Sequence, residues 1–109
     1  MDDTWNTLNS LAQSLDSQTA MVGEQRWLVQ IVKLQEEVGE VAEAAIGALG
    51  ENPRKGRSHD WDDVRKEACD VAVTALLLLV RMGGDPRWFF EEHLRMVAAR
   101  TASARPLAP

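Results

Sequence analysis

From Trp27 to Leu49 apolar side chains recur every three or four residues, through Ile31, Leu34, Val38, Val41, Ala42 and Ala45. That spacing is the period of an α-helix and gathers these residues into one apolar stripe. It predicts a helix from about Glu24 to Leu49, with Gly50 supplying the stop. No stretch of the chain shows the strict alternation of a half-buried strand, so the expected fold class is all-α. Three further helices can be read. Thr4 is a plausible N-cap for a short first helix whose Trp5, Leu8, Leu11, Ala12 and Leu15 repeat at helical spacing. Another starts near Ser58 or Asp60, with Asp62 and Asp63 favourable in its first turn, and runs to Met82 before Gly83-Gly84. The last opens at Asp85-Pro86, an N-cap followed by proline at the first helical position, and continues to about Arg100. The expectation is a bundle of about four helices in a single domain over residues 1–100, with 101–109 as a flexible tail.

The long helix carries Glu37 and Glu40 beside its stripe, and the pattern returns thirty positions later as Glu67 and Asp70, each pair followed by Val-Ala. Residues three apart share a helix face, with Cβ atoms roughly 5–6 Å apart. The two helices are joined by a loop of about ten residues holding Pro53 and Gly56, which favours antiparallel packing. At about 1.5 Å rise per residue the two pairs then fall within a turn of the same level, so four carboxylates can face one point. Hard divalent cations such as Mg²⁺ seek this all-oxygen environment.

Most glutamate runs on helices are solvated faces, and Glu36, Glu37, Glu40 and Glu43 could be one. The residues four positions after them are Glu40, Val41, Ala44 and Gly47, however, so none has the stabilising i,i+4 cation. An acidic cluster without counterions suits a metal. Other metal chemistries fit less well. Neither His59 nor His93 follows a Glu at the spacing a di-iron bundle needs, and Cys69 is the single cysteine. No Gly-x-x-x-x-Gly-Lys-Ser/Thr loop is present, so phosphate chemistry here would have to be metal-led.

Composition narrows the partners. A formal net charge of −5 argues against a nucleic-acid polymer, whose binding needs clustered Lys and Arg. The longest apolar run, Val71 to Val80 with Thr74 inside it, is about half of what spans a bilayer. Met1-Asp2-Asp3 opens no secretory signal, and a lone cysteine suits a reducing compartment, so the expected location is cytoplasmic with no membrane association.

Leu34-Gln35-Glu36-Glu37-Val38-Gly39-Glu40-Val41, followed by Glu67-Ala68-Cys69-Asp70-Val71, resembles the MazG family of all-α nucleoside triphosphate pyrophosphohydrolases. The family signature is Glu-Glu-x-x-Glu and, after a variable gap, Glu-x-x-Asp. The likeness covers the central hairpin and, more loosely, the Asp85-Pro86 start of the last helix. It implies Mg²⁺-dependent (or Mn²⁺-dependent) cleavage of a nucleotide between the α and β phosphates, giving a nucleoside monophosphate and pyrophosphate. It also implies a homo-dimer or homo-tetramer with the site near a subunit interface. Carried over by position, Glu37, Glu40, Glu67 and Asp70 are the metal ligands, and Glu36, Glu37 and Glu40 are the catalytic carboxylates, Glu36 in a water-orienting role. Relatives acting on deoxynucleotides use Lys and Asn on the last helix, where this chain has His93 and Val97. A phosphoribosyl-ATP pyrophosphohydrolase shares the fold and chemistry and is the nearest alternative. A non-catalytic helical interaction module is the alternative of a different class.

Substrate phosphates need positive charge as well. Lys33, one turn before Glu37, is the best candidate, and Arg54, Lys55 and Arg57 form a basic loop between the two acidic helices. Of the four tryptophans, Trp27 and Trp61 fall on apolar stripes and are expected in the core, leaving Trp5 and Trp88 freer to meet a base. The consecutive Leu76, Leu77, Leu78 and Leu79 point all round their helix, which predicts a second subunit as cover.

Overall fold

In the computed structural model, which describes residues 3–103, the chain is all-helical. The four helices are α1 (Thr4–Ser17), α2 (Glu24–Leu49), α3 (Trp61–Met82) and α4 (Pro86–Ser103). No strand occurs among the described residues, where the β pairing is one isolated bridge between Asn52 and Gly56.

The helix boundaries follow from identifiable caps. Gly50 adopts φ 75°, and the Gly50 amide donates to Gly47 O (3.2 Å) while the Glu51 amide reaches Ile46 O (3.1 Å), which closes α2. Asp60, not Ser58, caps α3. Its Oδ1 accepts from the Asp63 amide at 2.8 Å, and Asp63 Oδ2 accepts from the Asp60 amide at 3.0 Å. The Asp60 backbone hydrogen bond holds the Asp63 carboxyl below its ordinary pKa. At α4, Asp85 Oδ1 accepts from the Trp88 amide at 3.0 Å and Pro86 takes the first helical position. Two boundaries differ from expectation. Asp3 occupies the cap position of α1 and Thr4 is already helical, and α4 continues through Thr101, Ala102 and Ser103, which the sequence assigns to a tail. Residues 104–109 lie outside the described residues.

Helices α2 and α3 form the principal packing pair. Their contacts run in opposite chain order. Trp27 Nε1 donates to Arg81 O (3.2 Å), Gln30 Nε2 to Thr74 O (3.0 Å), Glu37 meets Glu67 and Asp70, and Gly47 meets His59. At Gly47 the approach is so close that a Cβ would lie 2.5 Å from Ser58 Oγ and nearer still to His59 Nδ1. The absent side chain lets the loop fold down on α2 beside buried Ala44 and Ala48. Helix α1 lies on α3 through Leu8, Ala12 and Leu77, with Trp5, Leu76 and Val80 around them.

A polar network ties the three helices together. Buried Gln30 accepts from Arg81 Nη1 at 2.6 Å, Arg81 Nε donates to Asp16 Oδ1 at 2.9 Å, and Arg26 Nη1 lies 3.4 Å from Asp16 Oδ2. The tryptophans do not divide as expected. Trp27 is partly buried, but Trp61, the first residue of α3, is 54% exposed although His59 just before it meets α2 at Gly47. Trp5 is the one packed inward, 6.1 Å from the Phe90 ring, and Trp88 is exposed.

Much apolar surface is left uncovered. Ile31, Val38 and Leu49 on the α2 stripe are exposed, as are Trp88, Phe89, Leu94 and Met96 on α4. Of the leucine run, Leu77 alone is fully buried and Leu76, Leu78 and Leu79 are half-buried. The radius of gyration is 17.7 Å, against about 13 Å for a compact domain of this length. The accessible surface is 8434 Å², where a monomer of this mass exposes roughly 6,000 Å².

Candidate metal centre

The acidic cluster is built by two helices whose facing register is set at one end by Gly47 against His59 and at the other by Gln30 against Thr74. Between these fixed points Glu37 of α2 comes opposite Glu67 and Asp70 of α3, and one carboxylate oxygen from each lies within 4.8 Å of the others. Such an arrangement of like charges is unfavourable unless a proton or a cation is shared among them.

The electrostatic surroundings of the acids agree with this. Half-buried Glu37 has its pKa pushed above the ordinary carboxylate value, first by desolvation and then by the charges of Glu40 and Asp70, against a smaller lowering by Lys33. Glu67 is pushed up in the same way, by desolvation first, then by the neighbouring Glu40 carboxyl, then by the charges of Asp70 and Glu37. Glu67 Oε2 is buried with no hydrogen-bond partner among the described residues. A buried carboxylate oxygen left without a donor is costly, and a cation among the three oxygens would satisfy it.

Glu40 stands beside the triad, close enough to raise both Glu37 and Glu67, although the tight grouping does not include it. Glu36 turns away. It is exposed and paired with Lys33 Nζ at 3.5 Å. Lys33 therefore faces both Glu36, its ion-pair partner, and Glu37, whose pKa it lowers.

The basic loop is placed elsewhere. Lys55 Nζ lies 3.9 Å from Glu43, and the Arg54 and Lys55 amides donate to Asn52 Oδ1 at 3.0 Å, holding a tight turn. The loop leaves α2 at Leu49, roughly 14 Å along the helix axis past Glu40, with Arg54, Lys55 and Arg57 all exposed.

Two concave surfaces flank the acids. On the Glu40 side Val38, Val41, Ala42, Ala68 and Val71 line an open, wholly apolar groove of about 400 Å³. On the Lys33 side lies a cavity of about 340 Å³ bordered by the Gln30–Arg81 network. Sequence reading did not find that network. Its members are 51 and 65 positions apart, and the local signals were a glutamine inside an apolar stripe and an arginine ending an apolar run.

Among the described residues no helix is long and apolar enough to cross a membrane. No family model, curated protein or solved structure matches the chain.

Proposed function

We propose that the chain is a Mg²⁺-dependent nucleoside triphosphate pyrophosphohydrolase of the MazG-like kind, cleaving between the α and β phosphates, with its site on an antiparallel α2–α3 hairpin. The observation that carries this reading is the Glu37–Glu67–Asp70 triad, contributed by two helices and containing a buried carboxylate oxygen without a donor.

The donor set fits the ion. Three carboxylates and no nitrogen or sulfur ligand suit a hard cation that keeps water and phosphate oxygens in its remaining positions. Glu37, Glu67 and Asp70 would hold Mg²⁺, or Mn²⁺ in its place. When bound, the ion supplies charge neutralisation at the phosphates and a more acidic water. Glu40, next to the triad but outside its tight grouping, would be the carboxylate that accepts a proton from water. Lys33 could exchange Glu36 for a phosphate oxygen, because both partners of that pair are more than half exposed. The apolar groove beside Val38 and Ala68 offers a surface for the nucleoside.

The proposed active form is a homo-oligomer, a dimer or tetramer. The chain exposes roughly 2,400 Å² more than a compact monomer of its mass. That excess exceeds the approximately 800 Å² per partner of a standard interface. Exposed Ile31, Leu49, Trp88 and Phe89 are what a second copy would cover.

The test is pyrophosphate release across a panel of nucleoside triphosphates and phosphoribosyl-ATP, with and without Mg²⁺. Turnover that requires the metal is expected. Absence of turnover on every member, with metal bound, would favour a helical interaction module instead.

A further inference from the structure

We propose that the face of α2 turned away from α3 is a helical seam, on which a second copy of the chain packs its own α2 in antiparallel orientation. This deepens the homo-oligomeric reading above by naming the face that a partner covers.

The apolar stripe of α2 is wider than one neighbour can bury. Its covered side holds Trp27, bonded to Arg81 of α3, Gln30, bonded to Thr74, and the buried Ala44 and Ala48. On the other side Leu28, Ile31, Gln35, Val38, Ala42, Ala45 and Leu49 follow one another at alternating spacings of three and four. That is the heptad spacing of a coiled coil, with Leu28, Gln35, Ala42 and Leu49 at one core position and Ile31, Val38 and Ala45 at the other. All are apolar except Gln35, yet all are exposed except the half-buried Ala45. Leu28 and Leu49, at the two ends, are 62% and 60% exposed, and exposed Val32 and Ile46 widen the seam. The run extends over about three heptads, roughly 30 Å along the axis, which is long enough for a coiled-coil contact. Helix α4 offers no equivalent. At about 100° per residue, its exposed Trp88, Phe89, Leu94 and Met96 are spread round the helix instead of aligned along it.

The seam is complementary to itself. Antiparallel alignment opposes the two helix dipoles favourably. It also sets Leu28 and Ile31 of one copy against Ala45 and Ala42 of the other, long side chains against short ones. A parallel partner would set alanine against alanine. The acids nearest the seam, Glu36 and Glu43, are each paired within the chain, with Lys33 Nζ at 3.5 Å and Lys55 Nζ at 3.9 Å, so their charge does not hold a second copy away. The chain's surface excess of roughly 2,400 Å² is ample for the approximately 800 Å² per partner of a standard interface. Gln35, a polar group at a core position, fixes the register at a cost in affinity.

The pairing leaves the acidic triad accessible. Glu37 lies on the α3 side of α2, and Glu40 points away from the seam. Val38 and Ala42 border both the seam and the apolar groove, so a second α2 stands along one edge of that groove and leaves Ala68 and Val71 open. Gly39 is beside the seam, with open space around an added Cβ.

The experiment is light scattering on the full chain at micromolar concentration, without metal or nucleotide. Ile31→Glu should halve the mass of the assembly. Leu94→Glu, which adds the same charge at an exposed leucine of α4, should leave it unchanged. Gln35→Leu should lower the dissociation constant by about tenfold or more, a gain that damage to the fold cannot produce. Circular dichroism should show the parent's helicity in every variant, because the substituted positions are exposed. Leu28→Cys and Ala45→Cys chains on a Cys69→Ser background, mixed and oxidised, should give the mixed disulfide in preference to either symmetric one. A monomeric parent, an assembly that Leu94→Glu disrupts and Ile31→Glu does not, a dissociation constant unmoved by Gln35→Leu, or Leu28→Cys chains cross-linked chiefly to themselves would each overturn the proposal. A dimer with these properties but no nucleotide turnover would leave the seam standing and refute the enzymatic reading. Mg²⁺-dependent turnover by a monomer would refute the seam and leave the enzyme.

Discussion

Alanine at Gly47 and at Gly39 should move stability in opposite directions, although both replace a glycine within α2. Alanine is favoured over glycine in a helix interior by about 0.8–1.0 kcal/mol. At Gly39 nothing lies within 4 Å of an added Cβ, so the gain should appear undiminished. At Gly47 the same Cβ meets the side chains of Ser58 and His59, including the base of the His59 ring at 3.1 Å, so the ring cannot escape by a simple rotation of its tip. Overpacking of this kind costs about 1–3 kcal/mol. With about 2.1 cal/mol/K of unfolding entropy per residue, the 109-residue chain shifts its midpoint by about 4 °C per kcal/mol. Gly39→Ala should therefore melt about 4 °C above the parent, and Gly47→Ala about 4–13 °C below Gly39→Ala. The readout is thermal unfolding by circular dichroism at one fixed protein concentration. Equal midpoints for the two variants would show that the loop does not rest on α2 at Gly47, and the register that sets Glu67 and Asp70 against Glu37 would lose its support. A midpoint for Gly39→Ala below the parent would show that this flank of α2 is covered in solution.

Asp70→Asn should weaken metal binding and Glu40→Gln should abolish turnover, both with native far-UV spectra and a metal-free melting temperature held or raised as the cluster's repulsion eases; calorimetry and a pyrophosphate assay check each. Because folding raises the pKa of Glu37 and Glu67, the native state binds more protons than the unfolded chain just above their ordinary value of 4.5, so metal-free stability should fall as pH rises through that region. Melting curves at successive pH values in EDTA test this, and a rise in stability from that region toward neutrality would refute it. Millimolar Mg²⁺ or Mn²⁺ should raise the neutral-pH midpoint by mass action, with Ca²⁺ binding but supporting turnover poorly; no shift with any ion would return the acids to an ordinary solvated face. Light scattering at micromolar concentration should show at least a dimer, and an active monomer would remove the argument from uncovered surface.

The helices were legible because each signal was local. A stripe at 3.6 residues per turn, Gly50, Asp60 and the Asp85-Pro86 pair mark boundaries through chemistry confined to a few neighbouring residues. Part of the acidic face was legible for the same reason: a three-residue spacing repeated in two helices needs only antiparallel packing to bring Glu37 opposite Glu67 and Asp70, while Glu40 stays outside the tight grouping. What escaped notice depends on separation in sequence. Asp16, Gln30 and Arg81 meet across three helices, and no local rule distinguishes Arg81 from a cation placed at a helix C-terminus, which it also is. Trp5 and Trp61 were assigned the wrong way round because helical periodicity gives a face without saying which neighbour covers it. Trp61 lies at the start of α3, whereas Trp5 meets Phe90 of a helix whose placement the stripe could not foresee.

The division of charge along α2 links fold to function. Going from Arg26 to Glu40 the helix passes two cations, Arg26 and Lys33, before the first acid at Glu36, and α3 answers with Arg81 opposite the basic end and with Asp70 and Glu67 opposite the acidic end. Had the pairing been complementary, with the Arg81 end of α3 against Glu37, the two helices would have neutralised one another and left nothing for a ligand. Like instead faces like at both ends, at a cost in stability visible in the raised Glu37 and Glu67 and in the division of one Asp16 between two arginines. Interior packing of Leu77 against Leu8 and Ala12 and the caps of α2 and α3 offset that cost. A chain selected for stability alone would gain by exchanging either set, since buried or crowded like charges are among the most expensive features a small helical protein can carry. A divalent cation among Glu37, Glu67 and Asp70 would relieve the acidic half of that cost.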